Sequence, residues 1–138
     1  MTTRSILLVE DNPDDVELLL RALRKNDVTE RVVVAWDGEE ALRTLETLMP
    51  TLVLLDLRLP GVPGLEVLRR LRAAERTRYL PVVVLTTSSE ASDLLDSYRL
   101  GANSYVRKSI DFEAFTQVAR HIGDYWLKVN QSPPPPSQ

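Results

Sequence analysis

Glu10 and Asp11 stand directly after an apolar run at residues 5–9, Asp56 ends a run that starts at Thr51, Thr86 and Thr87 end a run from Pro81, and Lys108 follows residues 103–107. Singly, each has an ordinary reading as a solvated turn, a β-branched strand residue or a surface lysine. Together they sit at matching strand ends, and in an open parallel sheet the crevice lies beyond the carboxyl ends of the strands. Three carboxylates at one sheet edge repel each other, and a divalent cation with oxygen ligands relieves that repulsion. With no His or Cys in the set, Mg²⁺ suits it better than Zn²⁺. Mg²⁺ keeps waters and prefers a few carboxylates plus a phosphate oxygen, which points to phosphoryl transfer. In that chemistry Asp56 is the nucleophile, Mg²⁺ neutralises charge on the transferred group, and Lys108 and Thr86 hold its remaining oxygens. The product is an aspartyl phosphate.

These residues need a scaffold, and the hydropathy pattern supplies one. Short apolar runs at residues 5–9, 31–36, 51–56, 81–87 and 103–107 alternate with amphipathic stretches, the pattern of an α/β doubly wound parallel sheet covered on both faces by helices. Leu52-Val53-Leu54-Leu55 and Val82-Val83-Val84-Leu85 lack polar alternation, as expected of central strands. Val16, Leu19, Leu20 and Leu23 share one helical stripe after Asn12, a capping residue followed by Pro13 and two acids suited to the dipole. A second helix opens at Asp37-Gly38, runs through Leu48 and stops at Pro50; the third and fourth are expected at 64–74 and 89–100, the latter capped by Gly101. The fifth starts after Asp111 and keeps α-helical spacing through Phe115, Val118, Ala119, Ile122, Trp126 and Val129.

The chain has 138 residues, of which 43% are hydrophobic, enough for one domain that buries roughly two-thirds of its unfolded surface. We expect that domain over 1–130 and a solvated Pro-rich tail over 131–138. With no output domain expected beyond it, the result would be delivered by docking. Absence of cysteine excludes a disulfide scaffold and a thiolate metal site and suggests a reducing, cytoplasmic setting. No apolar run approaches the roughly 20 residues of a membrane span, and the start lacks a secretory signal. A net charge of −3 with mixed signs gives no basic stripe for nucleic acid.

The chain resembles the receiver domains of two-component response regulators over residues 4–129. The resemblance is carried by Ile6-Leu7-Leu8-Val9-Glu10-Asp11-Asn12-Pro13, Leu55-Asp56-Leu57-Arg58-Leu59-Pro60-Gly61, Leu85-Thr86-Thr87 and Gly101-Ala102-Asn103-Ser104-Tyr105-Val106-Arg107-Lys108. It implies a flavodoxin-like fold of five helices and five strands in the order 2-1-3-4-5. It implies Asp56 as phosphoacceptor from a histidine kinase, Asp11 as direct Mg²⁺ ligand, Glu10 acting through metal-bound water, and the backbone carbonyl of Arg58 as a further ligand. Thr86 and Tyr105 would be the switch, with Lys108 sensing the phosphate. Such a domain is a phosphoacceptor that promotes its own phosphorylation and dephosphorylation, not an enzyme in the usual sense. One departure is Lys108-Ser109, where most receivers have Lys-Pro with a cis bond; before serine, cis costs about 2.5 to 4 kcal/mol, so trans is expected. Within the family, Glu10-Asp11-Asn12-Pro13-Asp14-Asp15, Lys108-Ser109 and Tyr125-Trp126-Leu127 look most like single-domain regulators that serve phytochrome-type histidine kinases.

Other residues have plainer readings. His121 lies opposite the apolar stripe and is a surface residue; Trp36 packs on an edge strand; Arg69-Arg70 with Glu66, and Arg72 with Glu75 and Arg76, form a solvated helix face. A fifth helix from Asp111 to Val129 would be about 28 Å long, more than a small sheet covers. Tyr125, Trp126 and Leu127 are therefore expected in a homodimer contact, an exchange of C-terminal arms being its bolder variant. Competing functions are less well supplied. An aspartate-nucleophile phosphatase of the haloacid dehalogenase type wants a second Asp where Arg58 stands. A flavin carrier needs a phosphate-cradling loop where Asp11 to Asp15 would repel phosphate. A phosphorylation-independent interaction module leaves the acidic set without a purpose.

Overall fold

In the computed structural model, which describes residues 4–134, five parallel strands form one sheet in the order β2-β1-β3-β4-β5. The strands are β1 (Ser5–Val9), β2 (Arg31–Ala35), β3 (Leu52–Leu55), β4 (Val82–Thr86) and β5 (Ser104–Arg107). Between and after them run α1 (Pro13–Lys25), α2 (Gly38–Thr44), α3 (Gly64–Ala73), α4 (Ala91–Arg99) and α5 (Phe112–Ile122), continued by a π-helical segment, Gly123–Val129. Fold class, strand order and helix number agree with the expectation; α2 ends earlier than its apolar spacing suggested.

Side chains alternate across a strand, so each strand feeds two cores. Leu7, Val9, Val53, Leu55, Val82 and Val84 pack against Ala41 and Leu45 after the start of α2 and against Val67, Leu68 and Leu71 of α3. Ile6, Leu8, Leu52, Leu54, Val83 and Leu85 meet Val16, Leu19, Ala22 and Leu23 of α1 and Phe115, Ala119 and Ile122 of α5. Full burial of such a side chain stabilises by about 1.5 to 3 kcal/mol. Register then aligns the strand ends: Val9 pairs with both Ala35 and Leu55. Asp56 N–H donates to the Val9 carbonyl at 3.0 Å, so Glu10 and Asp56 both leave the sheet at its carboxyl edge.

Two expectations are corrected. Leu127 is 5% exposed and belongs to the α1/α5 core of its own chain, with Trp126 half-buried against it, so these residues do not lie beyond the sheet's cover. The reason is the winding: Ile122 and Leu127 are five residues apart, and the π-helical turn brings both onto the core, with Trp126 at its margin. Val129 is left exposed. Arg72 is not part of a solvated face. Half-buried, it donates from Nε to the Gly101 carbonyl (3.0 Å), from Nη1 to the Arg78 carbonyl (2.9 Å) and from Nη2 to Asn103 Oδ1 (3.0 Å). Trp36 follows the edge strand β2 with 43% of its surface exposed. His121 is exposed, as expected, and Arg69 and Arg70 pair with Glu66 on the surface. Of the tail, Ser132, Pro133 and Pro134 border a cavity of about 90 Å³ with Met49, Tyr79 and Leu80; residues 135–138 lie outside the described residues. Among the described residues, no helix is long and apolar enough to cross a membrane.

Candidate functional site

The site is built on the ends of β1, β3, β4 and β5. Glu10, buried, and Asp11, exposed, follow β1; Asp56, buried, follows β3; one oxygen from each carboxylate lies within 4.8 Å of the others. Lys108 enters from beyond β5, held by its backbone N–H on the Thr86 carbonyl at 2.7 Å. Its Nζ donates to Glu10 Oε1, to Asp56 Oδ2 at 3.1 Å and to Asp15 Oδ2 at 3.0 Å. Side-chain exposure is only 8% for Lys108, 8% for Asp56 and 3% for Glu10, so these charges compensate each other in place of water.

One ammonium faces three carboxylates, with Asp11 beside them, and the surplus negative charge marks the pocket as a cation site. Burial pushes the Glu10 carboxyl up to about 7, and the Asp56 charge adds to the rise against the opposing hydrogen bond from Lys108. Burial acts to lower the Lys108 ammonium, but the Glu10 hydrogen bond and the charges of Asp56 and Glu10 outweigh it and hold the pKa above its ordinary value. Lys108 is therefore a fixed positive charge.

The backbone positions Asp56 tightly. Arg58 N–H donates to Asp56 Oδ1 at 3.2 Å. Gly64 opens α3 against the carbonyl of Asp56; a Cβ there would come within 2.3 Å of that oxygen, so only glycine lets the helix approach. Thr86 is buried, and its Oγ1 accepts from the Ser88 N–H at 3.4 Å. Tyr105 lies half-buried outside the carboxylate cluster, with its hydroxyl donating to the Ser88 carbonyl at 3.0 Å. Thus the structure brings Glu10, Asp11, Asp56 and Lys108 together, and ties Thr86 and Tyr105 to one loop residue, Ser88. Tyr125, Trp126 and Leu127 belong to the C-terminal segment and take no part. Among the described residues no peptide bond is cis, so Lys108–Ser109 is trans.

Sequence reasoning missed Asp15, Ser88 and Asp93. By its place in the sequence Asp15 reads as an acid suited to the helix dipole and as part of an acidic loop, not as a partner of Lys108. Ser88 Oγ donates to Asp93 Oδ2 at 2.6 Å, and Arg58 Nη2 donates to the same oxygen at 2.6 Å. Nothing in the local pattern marks these partners, because they meet only across loops.

The family model of the response regulator receiver domain matches residues 6–120. The chain belongs to this family. As a receiver it is a phosphoacceptor rather than a classical enzyme. It is 43% identical over 136 residues to a probable methanogenesis regulatory protein, FilR2, of Methanothrix harundinacea, covering 94% of this chain and 88% of the relative. The phosphorylated cyanobacterial phytochrome response regulator RcpA superposes with a TM-score of 0.89 at 36% identity, over 96% of this chain and 100% of that one. The Mn²⁺-bound form of response regulator Rcp1, the regulator of that name being from Synechocystis, superposes with a TM-score of 0.88 at 33% identity, over 95% of this receiver and 99% of that chain.

Proposed function

We propose that this receiver takes a phosphoryl group from a histidine kinase onto Asp56 and thereby switches a protein-binding surface. The observation that carries the reading is the Asp56 carboxylate held 3.1 Å from Lys108 Nζ and within 4.8 Å of the Glu10 and Asp11 oxygens. An Asp56 oxygen attacks phosphorus as the bond to the phosphohistidine nitrogen breaks, and Lys108 stays paired with the new anion. Thr86 donates its hydroxyl to a phosphoryl oxygen, and Tyr105 follows through Ser88. The oxygen donor set suits Mg²⁺, with Asp11 and Asp56 as direct ligands, Glu10 through water and the Arg58 carbonyl completing the protein's share. When bound, the metal supplies charge neutralisation for the transferred group. The resemblance of Glu10-Asp11-Asn12-Pro13-Asp14-Asp15, Lys108-Ser109 and Tyr125-Trp126-Leu127 to regulators of phytochrome-type kinases, together with the likeness to RcpA along nearly the whole chain, supports a kinase partner of that type.

The test is intact-protein mass spectrometry after incubation with a phosphorylated phytochrome-type kinase, or with a small acyl phosphate, in Mg²⁺ or in chelator. Wild type gains one phosphoryl group in Mg²⁺ only, and Asp56→Asn gains none. Equal labelling of both proteins would overturn the assignment.

A further inference from the structure

The first turn of α4 is fixed in an unusual way. Its N-cap residue, Glu90, makes no side-chain capping bond, and Ser97 is the only fully buried residue of the helix. A helix so lightly packed depends on whatever ties its start. The tie is a three-residue cluster. Asp93, in the first turn, accepts at one oxygen from both Arg58 Nη2 and Ser88 Oγ, each at 2.6 Å, and Ser88 Oγ in turn accepts from the Glu90 N–H at 3.3 Å. Glu90 adds a weaker carboxylate, 3.9 Å from the same guanidinium nitrogen. Arg58 is thereby the bridge between two loops, because its own backbone N–H holds Asp56 Oδ1 at 3.2 Å.

We infer that the Arg58–Asp93 pair is a clasp that holds the start of α4 while Asp56 is unmodified and opens when the phosphoryl group draws Arg58 away. This deepens the function proposed above and rests on phosphorylation at Asp56. The argument is one of competing charge. Arg58 is rooted two residues from the acceptor, its side chain is 58% exposed and hence free to swing, and its one close charged partner is a single oxygen of Asp93 at 2.6 Å, with Ser88 Oγ at 3.5 Å and Glu90 at 3.9 Å as weaker contacts. A phosphoryl group brings up to two negative charges and three acceptor oxygens, which favours the guanidinium fork over one carboxylate oxygen. Once Arg58 leaves, the Asp93 carboxylate keeps only Ser88 Oγ, and the backbone N–H and carbonyl of Ser88 are the groups bonded to Thr86 and Tyr105. The clasp therefore converges on the same loop as both switch residues and makes α4 the element released.

Hydrogen exchange of the α4 amides tests this in wild type, Arg58→Ala, Asp93→Asn and the double variant, each with and without beryllofluoride plus Mg²⁺. Without the mimic, each single variant exchanges roughly three- to tenfold faster in the first turn of α4, and the double variant no faster than either single one. The mimic accelerates the same amides in wild type and adds little in the variants. Additive effects of the two substitutions would overturn the clasp, as would faster exchange in β3 and β4, which signals a general folding defect. A mimic that slows exchange around Asp56 while leaving α4 of wild type unchanged would overturn the release but leave the phosphoacceptor intact. A mimic that alters no segment of wild type would instead remove the phosphoacceptor reading and the release with it.

Discussion

Glu10 and Asp11 are chain neighbours in opposite surroundings, and the difference supports the separate roles proposed for them. Glu10 is buried and engaged by Lys108; Asp11 is exposed and among the described residues has no cation on its carboxylate. A ligand that must first give up an ammonium is poorly placed for direct metal contact, whereas Asp11 gives up only water. Asp11→Ala should weaken Mg²⁺ binding by roughly a hundredfold and Glu10→Gln by about tenfold, by calorimetric titration. A larger loss in Glu10→Gln would reverse the two roles. These residues, with Asp56 and Lys108, were legible in the sequence because each follows a short apolar run, and strand ends are where parallel register makes distant residues converge. Asp15 and Asp93 were not legible. Both are acids in the first turn of a helix, where the dipole already accounts for them, and their cations lie 93 and 35 positions away.

Among the elements, the strands followed from hydropathy and the starts of α1, α2 and α5 from capping. Asn12 accepts from the Asp14 N–H and Asp37 from the Glu40 N–H, as their residue types foretold. The end of α4 did too: Gly101, at a φ of 102°, carries the bonds from its own N–H to the Tyr98 carbonyl and from Ala102 N–H to the Ser97 carbonyl. Hidden from the sequence were the shift to π-helical winding after Ile122, which no residue type announces, and the bracing of that α4 turn by Arg72. Arg72 looked solvated because helical periodicity places it beside other arginines, yet the turn at Gly101 comes close enough to take its guanidinium. A Cβ on residue 101 would meet the Arg72 side chain at 2.9 Å. Arg72→Ala therefore leaves the Gly101 and Arg78 carbonyls without their side-chain donor and should cost about 1 to 3 kcal/mol in urea unfolding. Arg72→Lys should restore little of it, since one ammonium cannot reach three acceptors set out for a planar fork. An unchanged urea midpoint for Arg72→Ala would show that water replaces the brace.

For the molecule as a whole, a homodimer contact has to use what the C-terminal segment leaves outside the core. Leu127 lies in its own chain's core and cannot also be a contact, and Trp126 is half-covered. What remains is Tyr125, 49% exposed with its ring edge-on to Trp126 at 4.9 Å, and Val129, 65% exposed on the same segment. We propose that the dimer forms through these outward residues, with Trp126 as their backing. Stability and association then separate by residue. Leu127→Ala should lower folding stability by about 2 to 5 kcal/mol, as cavity-forming core truncations do. The double variant Tyr125→Glu, Val129→Glu should leave the urea midpoint near that of wild type, because neither side chain is in the core, while sedimentation at micromolar concentration shifts from dimer to monomer through like-charge repulsion and lost apolar contact. Wild type that sediments as a monomer, phosphorylated or not, would defeat the dimer, and a double variant that still sediments as a dimer would move the contact elsewhere, with the exposed Leu94, Leu95 and Tyr98 of α4 the next surface to substitute.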